Sequence, residues 1–397
     1  MFVYLDNSAT TRQHIKVTAL MVQMMEQNFG NPSSLHHMGI TAEKALKLAR
    51  RQVADSLSAG ENEIIFTAGG TESDNTAIFG AYEARKKQGN KIITSKVEHP
   101  AVLEACRRLA QRGAEIVYLD ADACGTVDLA QLERELDANT ILITVMHVNN
   151  ELGTIEPLGE IGRIRRAAEK KFGTEILFHV DAVQSYGKEN IDIAGWGADM
   201  LSVSGHKIHG PKGAGALYVR SGLTIPPFLC GGGQERGMRS GTENMPAIAG
   251  FGLAAEMAAQ SRDETRARLA ELKAHLEAEL RRQTADIRIN SPESNACPSI
   301  LNVSFPGCRG EVLLHMLEQK EIYVSTGSAC SSKKKGSHVL AAAGLAPEVI
   351  EGAVRFSLSA DNTKEELSYA AAEAAAAAAS QRALRSAFSG RKKQPRA

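Results

Sequence analysis

Thr140-Ile-Leu-Ile-Thr-Val-Met-His147, a charged spacer over residues 158–172 and then Glu175-Ile-Leu-Phe-His-Val180 decide the fold. Apolar runs of about four to eight residues are what strands buried on both faces look like, and the longer spacer between them has the length and composition of a helix. The same alternation extends both ways. Glu63-Ile-Ile-Phe66, Lys91-Ile-Ile-Thr94, Glu115-Ile-Val-Tyr-Leu119 and Met200-Leu-Ser-Val203 read as strands, and residues 39–58, 72–88 and 100–112 as helices. Strand, helix, strand through about residue 205 predicts an α/β sheet covered on both faces. Functional groups are then expected in the loops at strand ends.

Beyond about residue 245 the pattern changes to a long charged helix, expected over 260–282, with shorter strands at Ser299-Ile-Leu-Asn-Val-Ser-Phe305 and Val354-Arg-Phe-Ser-Leu358. A chain of 397 residues is longer than one usual domain. The expected division is an N-terminal segment (1–15) packed with the small domain, a large domain (16–250), a small C-terminal α/β domain (251–380) and a basic tail (381–397) expected to be disordered. Residues 369–380 are nearly all alanine and helical by propensity. The last seventeen residues carry six basic and no acidic side chains, a solubilising end or a docking segment.

Lysine plus arginine and aspartate plus glutamate each number 46, which removes any global electrostatic case for nucleic acid or an acidic membrane. The six cysteines are scattered with no CxxC, so neither a zinc knuckle nor a disulfide framework is indicated. The N-terminus lacks a basic segment followed by a long apolar one, and no uninterrupted apolar 18-mer occurs, so the chain is expected to be soluble and cytoplasmic.

The chemistry gathers at strand ends. Ser202-Val-Ser-Gly-His-Lys207-Ile-His209-Gly-Pro-Lys-Gly puts a lysine among turn-forming residues just past an apolar strand, where it is well placed to form a Schiff base, with Ser204 offering a hydroxyl to a phosphate. Asp181 follows a buried strand, where a carboxylate needs a cationic or N–H partner. A protonated pyridine nitrogen is such a partner, and Gln184, three residues on, can donate to the ring's phenolic oxygen. Phe66-Thr-Ala-Gly-Gly-Thr71 runs from strand through glycines into a helix, so Gly70 and Thr71 are a candidate phosphate cradle. His99, before Pro100 at a helix start, can lie on a cofactor ring or simply cap the helix. Asn150 follows the most apolar strand and can touch ring or substrate. Arg355, a cation in an apolar strand, suits a bidentate grip on an α-carboxylate, with an internal ion pair as the alternative. Thr242, in a glycine-rich stretch, can reach a phosphate, even that of a neighbouring subunit. His179-x-Asp181 and His206/His209 complete no recognised ligand set, so no metal is expected.

Cys330 bears on the reaction type. Ser325-Thr-Gly-Ser-Ala-Cys330-Ser-Ser-Lys-Lys-Lys-Gly336 is small and polar, and three lysines beyond the cysteine favour its thiolate.

Together with Tyr4-Leu-Asp-Asn-Ser-Ala-Thr-Thr11, Asn149-Asn-Glu and Arg239-Ser-Gly-Thr242, these ordered motifs resemble the cysteine desulfurases of the NifS/IscS kind, in the class V branch of the fold-type I pyridoxal-phosphate enzymes. The resemblance spans nearly the whole chain. It implies a large domain with a mostly parallel seven-stranded sheet, a smaller C-terminal α/β domain, a homodimer, and pyridoxal 5'-phosphate as cofactor. By it, Lys207 holds the cofactor and carries protons; Asp181 pairs with the ring nitrogen; His99 stacks on the ring; Gln184 meets the phenolic oxygen. Gly70, Thr71, Ser204, His206 and Thr242 serve the phosphate, the last across the dimer; Asn150 and Arg355 orient the substrate carboxylate. Cys330 takes the sulfur as L-cysteine becomes L-alanine, and its persulfide feeds iron–sulfur cluster assembly or tRNA thiolation through a sulfur-accepting protein. The segment from Cys330 to His338 is lysine-rich and about one residue shorter than in housekeeping members. The C-terminus also departs from the segment those members use to hold a scaffold, so that partner is not carried over. Rival readings are a selenocysteine lyase, another lyase or aminotransferase of the same fold, and a non-catalytic sulfur-relay or scaffolding protein.

Overall fold

The computed structural model describes residues 1–284, 286–327 and 336–391, with side chains through residue 385. After β1 (Val3–Tyr4), α1 (Ile15–Glu26) and α2 (His37–Ser56), strands and helices alternate as expected. They are β2 (Ile64–Thr67), α3 (Gly70–Arg85), β3 (Lys91–Ser95), α4 (Pro100–Ala110), β4 (Glu115–Leu119), α5 (Leu129–Glu135), β5 (Thr140–Met146), α6 (Leu158–Phe172), β6 (Leu177–Asp181), α7 (Ile193–Trp196), β7 (Met200–Ser204) and β8 (Gly215–Val219).

These strands form one seven-stranded sheet in the order β2-β8-β7-β6-β5-β3-β4. Only β8 runs against its neighbours; the remaining pairings are parallel. Every residue of β3, β5, β6 and β7 is buried, which is why these strands read as continuous apolar runs. Apolar clusters fill the space on both faces. The antiparallel β8 is absent from the sequence reading because its small residues, Gly213-Ala-Gly-Ala, hide a buried strand behind a turn signal.

α8 (Met245–Gln283) is a single helix of 39 residues, not the shorter one expected over 260–282. Its first turns hold Ala247, Gly250, Gly252, Ala254 and Ala255, weak as a helix signal but suited to close packing. A Cβ on Gly252 would stand 2.6 Å from Ala49 Cα of α2, so glycine lets the two helices touch. The expected boundary at residue 250 thus falls inside a continuous helix.

The C-terminal part holds β9 (Arg288–Ile289), β10 (Ile300–Ser304), α9 (Gly310–Glu318), β11 (Ile322–Tyr323), α10 (His338–Ala342), α11 (Pro347–Glu351), β12 (Ala353–Ser357) and α12 (Lys364–Arg391). β12-β10-β9 form an antiparallel sheet, and β1 pairs in parallel with β11. Val3 and Leu5 lie in the apolar cluster of this part, with Leu272, Leu276, Val354 and Phe356. The alanine run lies in α12, which runs on through Arg391, past the expected start of the tail at residue 381. Residues 392–397 lie outside the described residues. Among the described residues no helix is long and apolar enough to cross a membrane.

One ion pair ties α2 to the loop that leads into α8. Glu235 accepts from Arg50 Nη2 at 2.6 Å and Nη1 at 2.8 Å, and its Oε2 accepts from the Phe66 N–H at 2.9 Å. Both side chains are buried. Removing one member of such a pair leaves the other uncompensated, so Glu235→Ala is expected to cost about 3–5 kcal/mol in denaturant unfolding. An unchanged midpoint would show the pair to be dispensable.

Candidate active site

Because all strands but β8 point one way, the C-terminal ends of β2, β3, β5, β6 and β7 deliver their loops to one edge. A cavity of about 380 Å³ opens there. Its lining includes Gly70 and Thr71 after β2, His99 after β3, Asn150 after β5, Asp181 at the end of β6 with Val183 and Gln184 just beyond it, and Ser204 at the end of β7 with His206 and Lys207 just beyond it. The C-terminal part contributes Arg355, His338 and Ser325 to Gly327. The N-terminal segment closes one side with Asp6, Ser8 and Ala9. The structure therefore gathers ten of the twelve expected site residues. Thr242 is exposed and outside this lining. Cys330 lies outside the described residues, while Gly327, three positions earlier, is at the cavity wall.

Lys207 Nζ donates to the Ser8 carbonyl and, at 2.9 Å, to the Ala9 carbonyl. Burial, then Lys188 and Arg355, push its pKa down to about 7 from 10.5, against smaller pulls from Asp181 and Asp6. Below about pH 7 Nζ is an ammonium and cannot attack; above it the free amine predominates. The rate at which apoenzyme captures pyridoxal phosphate, followed by visible absorbance, is therefore expected to rise as pH increases through about 7 and then level off. A rise delayed to the ordinary lysine range would contradict that electrostatic picture.

Asp181 Oδ1 accepts from the Val183 N–H at 2.9 Å. Burial raises its pKa, and His99 and Lys207 counteract that. His99 Nδ1 accepts from the Ala101 N–H at 3.1 Å as the cap of α4. Burial lowers its pKa, so the ring is neutral with its proton on Nε2. Capping and a place in the cavity wall thus coexist. Gln184 Nε2 donates to the Ser8 carbonyl at 2.9 Å, and its buried Oε1 has no partner. His206 Nδ1 meets Thr10 Oγ1 at 3.1 Å, and burial pushes its pKa down to about 4.

Arg355 shows its alternative reading realised. Nη2 pairs with Asp6 Oδ1 at 2.7 Å and Nη1 donates to the Asn150 carbonyl at 2.8 Å, while the buried Nε has no partner. The ion pair and the position in the cavity wall are compatible.

A second cavity adjoins the first and shares Gly70, Thr71, Ser204 and His206. Here β2 turns into α3 through Gly69, whose φ of 151° is outside the range that side chains readily adopt. A Cβ on Gly70 would stand 2.5 Å from Val183 Cγ2. The free N–H groups of the first turn of α3 and the buried, unpartnered Ser204 Oγ are donors of the kind that suit an anion.

A family model described as aminotransferase class-V matches residues 3–369. The chain belongs to that family. It is 45% identical over 368 residues, 92% of either chain, to a protein of Dictyoglomus turgidum named cysteine desulfurase IscS. Among solved structures, one titled NifS-like protein superposes with a TM-score of 0.89 at 39% identity, covering 95% of this chain and 99% of its own. Another, titled SspA in complex with cysteine, gives 0.79 at 36%, covering 91% and 100%. The mostly parallel seven-stranded sheet matches these NifS-like folds, and the family's cofactor is pyridoxal phosphate. The residues present fit that group: an orphaned Ser204 hydroxyl beside a helix N-terminus for a phosphate, Asp181 for a ring nitrogen, and an amine at Lys207 for an aldehyde.

The sequence reading missed Asp6, Ser8 and Ala9, which hold Lys207 and Arg355. Nothing in an N-terminal motif of small polar residues says which distant side chains it will strap. Glu151 was missed as well: it is buried in the cavity wall and accepts from Ser337 Oγ. Its position next to Asn150 was the available signal.

Proposed function

We propose that this cavity converts L-cysteine to L-alanine and hands the sulfur to Cys330. The protein is a pyridoxal-phosphate-dependent cysteine desulfurase. The observation that carries the reading is a lysine brought to about pKa 7 in one cavity with Asp181, the anion site at Ser204 and the chain leading to Cys330.

Pyridoxal phosphate, when bound, supplies an aldehyde for imine formation and a ring that draws electrons from an amino acid's α-carbon. Gly70, Thr71, Ser204 and His206 hold its phosphate by backbone N–H and side-chain donors. Asp181 would hold a proton on the ring nitrogen, Gln184 would serve the phenolic oxygen, and His99 would support the ring. Lys207 Nζ takes the α-proton of cysteine and returns one to the product. Arg355 and Asn150 orient the substrate carboxylate, with Asp6 keeping the guanidinium in place. Cys330, as thiolate, attacks the substrate sulfur; an S–S bond forms as the C–S bond breaks, its electron pair stays with the β-carbon, which takes up a proton, and a persulfide remains on Cys330 as alanine leaves.

The protein acts as a homodimer. Support comes from Ile15, Val22, Met25, Leu35, Ile40 and Leu48, large apolar residues exposed along α1, α2 and the loop between them. Phe228 and Leu229 are exposed too and line the cavity beside the anion site. Thr242 then serves the partner's phosphate. Large domain 16–250 and small domain 251–380 are bridged by α8, with residues 1–15 joining them. The sulfur goes to an acceptor protein of iron–sulfur cluster assembly or tRNA thiolation, and the name IscS of its relative supports the former. A cytoplasmic location agrees with five described cysteines that are all unpaired.

The test is incubation of the purified holoenzyme with L-cysteine and a thiol reductant. Alanine and sulfide in equal amounts are expected; pyruvate or an amino-group transfer product in place of alanine would overturn the reading.

A further inference from the structure

Three buried carboxyl groups, Asp74 and Asp181 in the cavity wall and Glu98 outside that lining, lie near enough to feel one another's charge, and ionising all three would be very costly. Asp74, on the first turns of α3, is 1% exposed, and its Oδ1 has no hydrogen-bond partner. The ring of His179, from β6, brings Nε2 within 3.7 Å of that oxygen. That ring is not a cation. Wholly buried, it has its pKa pushed down to about 3, and its two nitrogens meet Thr144 Oγ1 at 2.8 Å and Ser202 Oγ at 2.9 Å. Glu98 Oε1 accepts from Ser95 Oγ at 2.6 Å, while its buried Oε2 has no partner. Among the described residues neither Asp74 nor Glu98 forms an ion pair with a lysine or arginine.

Asp181 differs from both. It has the Val183 N–H, and the field of Lys207 favours its charge. The groups facing Asp74 are Asp181 and His179 from β6, the Ser202 hydroxyl from β7 and Glu98 from the loop ahead of α4. Burial and the Asp181 charge act on it most strongly, both in the direction of holding its proton.

We propose that Asp74 is a neutral carboxylic acid in the working enzyme, a positioning residue that confines the negative charge on this side of the cavity wall to Asp181. The proposal rests on the reading of Asp181 as partner of the ring nitrogen. A second anion beside Asp181 would raise the Asp181 pKa and blur where the ring proton sits; a protonated acid there instead offers its O–H to Ser202 Oγ.

The test uses holoenzyme and the near-isosteric variant Asp74→Asn, melted from about pH 5 to about pH 8. An acid whose folded pKa is raised costs stability once pH exceeds its unfolded value of 3.8, and the cost grows until the folded pKa is reached. Asparagine carries no such cost. The variant's melting temperature is therefore expected to gain on the wild type as pH rises, reaching an advantage of about 2–4 °C at the upper end. The visible absorbance maximum of the bound cofactor is expected to stay where it is. A difference that does not change with pH, or a variant that melts lower throughout with a displaced maximum, would overturn the proposal. Isotope-edited infrared spectra of wild-type holoenzyme, labelled at aspartate carboxyl carbons, decide the matter even if the variant does not fold. A protonated-carboxyl band at neutral pH that persists in Asp181→Asn supports the neutral acid at Asp74, and its absence refutes it. Asp181→Asn separates the two readings: an unchanged cofactor spectrum in that variant removes the ring-nitrogen partner and with it the role given to Asp74, whereas the pH trend tests the Asp74 proton alone.

Discussion

Alanine at position 207 is expected to remove the visible absorbance of the lysine-bound cofactor and to slow alanine production from L-cysteine at least about 10³-fold. Lys207 is the amine in the cavity wall whose pKa is brought to about 7, and two roles fall on it, holding the cofactor aldehyde and moving the α-proton. Losing both in one substitution is why the effect is large. The fold should survive, because the Nζ hydrogen bonds end on two backbone carbonyls of the N-terminal segment, which β1 also ties down through β11. Circular dichroism and melting of the variant check that point, and single-turnover alanine release checks the chemistry. Lys207→Arg separates charge from nucleophilicity: a guanidinium keeps the cation without a usable lone pair, so it should be as inactive as alanine. Retained turnover in either variant would remove Lys207 from the reaction.

The second large effect is expected from Cys330→Ser. A serine hydroxyl is a far weaker nucleophile than a thiolate at neutral pH, so turnover to alanine should fall at least about 10²-fold. Cofactor absorbance and the spectral change on adding L-cysteine should both persist, since none of the residues assigned to the phosphate, ring or substrate carboxylate is altered. That split between intact binding and lost sulfur transfer is the signature of a sulfur-accepting thiol. A variant that lost its cofactor would indicate a structural cysteine instead.

Most of the sheet was legible because its strands are buried on both faces, and burial on both faces leaves continuous apolar runs such as Thr140 to Met146. β8 and the start of α8 were not, for one shared reason. Alanine and glycine are chosen there for close packing, as at Gly252 against Ala49, and small residues carry little periodic signal. The C-terminal helix illustrates the opposite case: the alanine run is visible as a helix by propensity, and lysine and arginine, themselves good helix formers, let it run on through Arg391.

The candidate site was legible to the extent that its residues sit at strand ends in recognisable turns. Asp181 and Ser204 each end a strand, Gly70, Thr71 and Lys207 come a few residues after one, and a parallel sheet brings such positions together whatever their separation in sequence. What stayed hidden depends on tertiary neighbours. Asp74 reads as an ordinary polar residue near a helix start, and only the packing of α3 over β6 turns it into a buried acid beside His179. Asp6 and Ser8 reach Arg355 and Lys207 across more than half the chain or more, a pairing that no local pattern encodes.

The central claim is that sulfur leaves cysteine for Cys330. Its most direct test is mass analysis of the protein after one equivalent of L-cysteine, intact and then as peptides, before and after thiol reduction. The account predicts a gain of one sulfur atom, mapped to the peptide bearing Cys330, reversed by reductant and matched by one alanine released. Alanine formed with no sulfur on Cys330, or sulfur found on another cysteine, would contradict it.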